Sequence, residues 1–66
     1  MTMLKVIEVL AESNKSWEDA AQVAVTTASK TVRHVKSINV KNLQATVEKG
    51  KITNYRLNAK IAFLLE

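Results

Sequence analysis

The sequence predicts an α+β subunit with the element order β-α-β-β, and three observations carry that reading. The stretch Ile52 to Leu65 alternates apolar and polar residues almost throughout. The only glycine, Gly50, sits just before it, between two runs of strand character. Further upstream, a stripe of apolar residues at spacings of three and four follows a β-branched N-terminal run. The chain has 66 residues, so these elements are expected to form one domain, residues 1–66.

Lys5 to Leu10 is rich in β-branched residues and reads as the first strand. Leu4, Val6 and Leu10 fall on one side, Ile7 and Val9 on the other. A strand that is apolar on both sides is expected at the centre of a sheet or covered twice. Ala11 to Lys15 reads as a polar loop. Ser16 then suits a helix N-cap, with Asp19 three residues on as a variant capping box.

Residues 17–35 read as the helix. Trp17, Ala20, Ala21, Ala24, Ala28, Val32 and Val35 form its apolar stripe, and the alanines let it lie close to a sheet. Glu18 and Asp19 at its start, and Lys30, Arg33 and Lys36 towards its end, suit the helix dipole. His34 reads as a partly exposed residue favoured by the same dipole, and Trp17 as a core or interface anchor.

Ser37 to Val47 reads as the second strand, with a change of phase. Ile38 and Val40 are apolar at even positions, Leu43, Ala45 and Val47 at odd ones. A bulge near Asn42 produces that pattern, and so does a strand whose halves pack on different neighbours. Glu48 to Lys51 is the turn of an antiparallel hairpin. Whether the first and second strands are direct neighbours stays open.

In the last strand Tyr55, Leu57, Ala59, Ile61, Phe63 and Leu65 share one side, opposite Asn54, Arg56, Asn58 and Lys60. Its fourteen residues span roughly 46 Å, whereas the helix spans about 28 Å. A helix of that length cannot shield such a ribbon. A domain of about 60 residues is marginal alone, so other subunits are expected to complete the coverage.

Composition narrows the function. No cysteine is present, which excludes disulfides and thiolate metal sites, and a single histidine cannot build a His-rich one. There is no Gly-rich phosphate loop and no nucleophile–base set, so an enzyme is not expected. Glu8, Glu12, Glu18, Asp19, Glu48 and Glu66 lack calcium-loop spacing, although a symmetric assembly could gather copies of them on an axis. The net charge is +4 with scattered Lys and Arg, which suits a solvated surface and not nucleic acid. No run approaches a membrane span, and Met1 to Lys5 does not look like a signal peptide, so no membrane partner and a cytoplasmic location are expected.

Ser16-Trp17-Glu18-Asp19-Ala20 and Ala28-Ser29-Lys30-Thr31-Val32-Arg33-His34 resemble the helix region of the dodecins. Gly50-Lys51-Ile52-Thr53-Asn54-Tyr55-Arg56, with Lys60 and Phe63-Leu64-Leu65-Glu66, resembles their last strand. The resemblance covers nearly the whole chain. It implies three antiparallel strands wrapped partly around one helix. It also implies a hollow homododecamer of cubic-type symmetry that stores or quenches flavin (riboflavin, FMN or lumichrome) in pairs between subunits.

Taken residue by residue, the resemblance makes Ser37, Arg56 and Gln44 the cofactor-site candidates. Ser37 stands where a Trp usually stacks on the flavin ring. Arg56 stands where a Gln usually packs against it. Gln44 is the nearest equivalent of a ligand-assisting residue on the second strand. Losing the stacking ring forfeits ~1 kcal/mol of contact, and two Arg56 groups facing across a symmetric site repel unless an anion lies between them. These departures resemble a branch associated with metal or anion binding. The alternative to flavin is therefore a shell that holds a metal ion or anion on a symmetry axis, or is purely structural.

Overall fold

The computed structural model describes residues 2–65. The expectations resting on Met1 and Glu66 lie outside them. Strand β1 (Leu4–Ser13) is followed by helix α1 (Trp17–Ala28), strand β2 (Val35–Glu48) and strand β3 (Lys51–Leu64). The sheet order is β1-β3-β2, antiparallel throughout, so the last strand lies at the centre and β1 and β2 do not touch. The residues fill an elongated body of 52 × 19 × 13 Å.

The alternating strand is central because its apolar side meets both neighbours and the helix. Leu57, Ala59 and Ile61 are buried to 1, 0 and 0 % exposure, against Ala11 and the helix row Ala20, Ala24 and Ala28. Burying Leu57 and Ile61 contributes ~1.5–3 kcal/mol each. The alanines bring the helix axis near Ala59, where any larger side chain would hold it off.

β1 corrects two expectations. It runs on through Ala11, Glu12 and Ser13, which pair with Leu57, Arg56 and Tyr55. It is also an edge strand. Ile7, Val9 and Ala11 face the helix, while Leu4, Val6 and Leu10 stand exposed on the other side. Apolarity on both faces here marks a surface left uncovered by its own chain.

The helix is shorter than its stripe. Ser16 is the N-cap, its hydroxyl accepting from the Asp19 amide at 3.0 Å. The Asp19 carboxylate does not close a capping box but accepts from the Ser13 hydroxyl at 2.6 Å, tying the helix start to the end of β1. At the other end the bonds tighten, with the Lys30 amide donating to Thr27 O and those of Thr31 and Val32 to Ala28 O. His34 adopts φ 59° and redirects the chain into β2, where Val35 pairs with Phe63. Val32 and Val35 reach the core, as their spacing demands, but by way of this turn. Lys30, Arg33 and Lys36 lie beyond the last helical turn, as does His34, so the dipole reading of these four does not hold. Twelve residues give a helix of about 18 Å, and the shortfall against β3 is wider than the sequence suggests.

The hairpin turns through Lys49 (φ 52°) and Gly50 (φ 76°), both left-handed, which is the type I′ arrangement. Three bulges follow. Lys36 and Lys41 are the extra residues on β2, and Thr53 is the extra residue on β3. The Lys41 bulge, beside Asn42, explains the change of phase. It keeps Ile38 and Val40 on the same side as Leu43 and Ala45, opposite Ile61, Ala59, Leu57 and Tyr55.

Candidate functional site

Side chains of a strand alternate, so the residues between Leu57, Ala59 and Ile61 point away from the helix. On that helix-free face the register builds rows across the three strands. Val6, Ala62 and Ser37 form one row; Glu8, Lys60 and Asn39 the next; Leu10, Asn58 and Asn42 the third; Glu12, Arg56 and Gln44 the fourth. The face is thus apolar towards the Leu4–Leu64 end and polar towards the hairpin.

The fourth row holds two of the three candidates. Arg56 presents Nε and one terminal nitrogen to the same oxygen, Oε1 of Glu12, each at 2.9 Å. The Arg56 and Glu12 side chains keep 34 and 46 % of their surface in solvent. A pair so exposed contributes ~0–1 kcal/mol to stability. Its effect is orientation: the guanidinium is drawn towards β1 and its charge is balanced within the chain. The counter-charge that two facing Arg56 groups require is therefore already present.

Gln44 stands on the other flank of Arg56. Its backbone is held from the far side of the sheet, where Trp17 Nε1 donates to the Gln44 carbonyl at 2.9 Å. The Trp17 ring meets Tyr55 edge-on, with centroids 4.9 Å apart and planes at 75°. Trp17 is thus an anchor, as its position suggests, and its target is the strand that carries Gln44.

Adjacency of Gln44 and Arg56 depends on a bulge. Counting back from the turn in a regular hairpin sets Gln44 opposite Tyr55, on the helix side. The extra residue Thr53 shifts the register by one, and Gln44 meets Arg56 instead. The Thr46 and Thr53 hydroxyls hold that bulge, 2.8 Å apart.

Ser37 shares the face but not the row. Six residues along β3 separate its partner Ala62 from Arg56, which is roughly 20 Å. Within one chain, then, Gln44 and Arg56 come together and Ser37 does not join them. Glu12 is the member of the row that sequence reading missed. Its only signal was charge, and nothing local fixes the pairing of β1 with β3.

A concavity of about 420 Å³ lies between α1 and β1, lined by Ile7, Val9, Ala11, Val23 and Thr27 among others, and it reaches Glu12. It contains none of the three candidates. Among the described residues, no group of three or more His, Cys, Asp or Glu could hold a metal ion. No helix among them is long and apolar enough to cross a membrane. The fourth row offers an ion pair and an amide, which can bind and orient a ligand.

The dodecin family model matches residues 3–66. A dodecin of Thermus thermophilus is 31% identical over 62 residues, covering 94% of this chain and 90% of that one. The crystal structure of a single-substitution variant of the T. thermophilus dodecin superposes with a TM-score of 0.95 at 29% identity, covering 100% of this chain and 98% of that one. The dodecin of Streptomyces coelicolor gives 0.94 at 29% identity, covering 98% and 93%. A calcium dodecin of Mycobacterium tuberculosis, described as calcium-chelating with a novel calcium-binding site, gives 0.84 at 32% identity, covering 97% and 91%.

Proposed function

The chain belongs to the dodecin family, and from that premise we propose that it is the subunit of a closed homododecameric shell storing flavin, FMN or riboflavin, on its helix-free face. The family consists of non-catalytic, small-ligand-binding proteins that are typically homododecameric, and this chain is one of them. The observation that carries the finer reading is the row Glu12–Arg56–Gln44. It sets a planar, charge-balanced guanidinium beside a side-chain amide on an open surface. A guanidinium plane stacks on aromatic ring systems, and an amide both donates and accepts hydrogen bonds at a ring edge. The exposed Leu4, Val6 and Leu10 give neighbouring subunits an apolar surface on the same face with which to close the site.

The test is a solution mass with and without FMN, together with a flavin fluorescence titration. Twelve-chain mass and quenched fluorescence are expected. A particle of one chain, or flavin emission unchanged by a saturating excess of protein, overturns the reading. Ser37→Trp restores a ring at the position that lacks one and is expected to raise flavin affinity about fivefold, as one stacked aromatic contact would.

A second reading, a shell for ions or anions, is favoured by Ser37, which offers no ring. Calcium uptake by the assembled protein, measured by calorimetry, with no response to flavin supports it.

A further inference from the structure

We propose that Glu12 is the residue that sets the charge of the ligand at Arg56, so that the intact pair favours an uncharged planar ring over its phosphorylated form. The ligand class rests on the flavin reading above; the charge selection does not. Both contacts from Arg56 to β1 end on one carboxylate oxygen: Nε donates a hydrogen bond to it at 2.9 Å, and a terminal nitrogen makes an ion pair with it at 2.9 Å. That engages one of the two edges through which a guanidinium can grip a phosphate in parallel bonds, and leaves the edge between its two terminal nitrogens beside the Glu12 carboxylate. The Glu12 side chain keeps 46 % of its surface in solvent beside Arg56, so its carboxylate repels an incoming anion. The other flank is Gln44, which carries no charge. The face of the guanidinium is left for a neutral ring.

An anionic ligand must therefore either displace Glu12 from Arg56 or bind the remaining edge against the field of that carboxylate. A neutral ring has to do neither. Specificity of this kind is a difference between two affinities, set here by a repulsive group. Glu12 acts through Arg56 and is a positioning residue.

The experiment compares riboflavin and FMN on the assembled wild-type protein, Glu12→Gln and Arg56→Gln, by fluorescence titration. In the wild type riboflavin is expected to bind about threefold tighter than FMN. In Glu12→Gln, FMN is expected to bind about tenfold tighter than riboflavin, and 0.5 M salt is expected to erase that preference. Arg56→Gln leaves the Glu12 carboxylate without its counter-charge and is expected to favour riboflavin further, a preference that 0.5 M salt reduces. A merely structural role for Glu12 would weaken both ligands alike and leave their ratio unmoved, and that result overturns the proposal. So does a wild type that already prefers FMN tenfold.

Inorganic phosphate, titrated calorimetrically, separates this proposal from the flavin reading. Millimolar phosphate is expected to bind Glu12→Gln and not the wild type. If neither protein binds any flavin, the flavin reading falls and the phosphate difference alone decides the role of Glu12. Equal phosphate binding by both overturns it. Glu12→Thr, neutral and well suited to a strand, is expected to give the same shifts and serves where the Gln variant does not assemble.

Discussion

The helix-facing side of the sheet is covered on one strand and open on the next. On β3 Leu57, Ala59 and Ile61 are sealed beneath the helix alanines. On β2, on the same side of the sheet, Leu43 and Val47 keep 57 and 61 % of their surface in solvent, although they are of the same chemical kind. Soluble monomers seldom leave such side chains contiguous and open. The contrast teaches that the apolar surface of this fold is divided: part is covered by the chain itself, and part is left open, as the proposed assembly requires.

Four substitutions break or sharpen that contrast. Ile61→Ala removes a fully buried side chain from the covered part and should cost ~2–5 kcal/mol, seen as a large fall in the thermal midpoint. Leu43→Asp strikes the open part. Its circular dichroism should stay close to wild type while the mass in solution drops, because the residue is solvated until a neighbour covers it. Loss of secondary structure in Leu43→Asp would erase the distinction between the two parts. Trp17→Phe lies at the join. It leaves the Gln44 carbonyl without its indole donor and should cost ~0.5–1.5 kcal/mol, and a strand loosened at Gln44 should show faster amide exchange there. Lys49→Asn acts at the far tip, where an Asn tolerates the left-handed turn better. It should raise stability by about 0.5 kcal/mol without touching assembly.

Much of this was legible in the sequence, and what was not has a physical cause. The alternating last strand, the hairpin and the Ser16 cap follow from local pattern, because each is decided within a few residues; the change of phase near Asn42 was equally visible, but only the register tells a bulge from a strand with two sets of neighbours. The helix end was misjudged because Val32 and Val35 have the right period for the core whether the chain reaches it by helix or by turn. The length of β1 was underestimated because Ala11, Glu12 and Ser13 lack strand propensity and pair only because β3 is there to receive them. In the candidate site, Arg56 and Gln44 were picked out by resemblance, but their meeting depends on Thr53. Glu12 depends on a pairing 44 residues apart, which no local pattern encodes.

The two lysine bulges of β2 carry a last consequence. β2 is an outer strand of fourteen residues, with one row of backbone donors and acceptors facing outward. A flat ribbon of that length invites further strands to add without end, as in fibrils. Lys36 and Lys41 each break its hydrogen-bond ladder, increase its twist and set a positive charge at the break. Such a border resists indefinite stacking, so a protein with so much apolar surface is steered towards assemblies that stop growing.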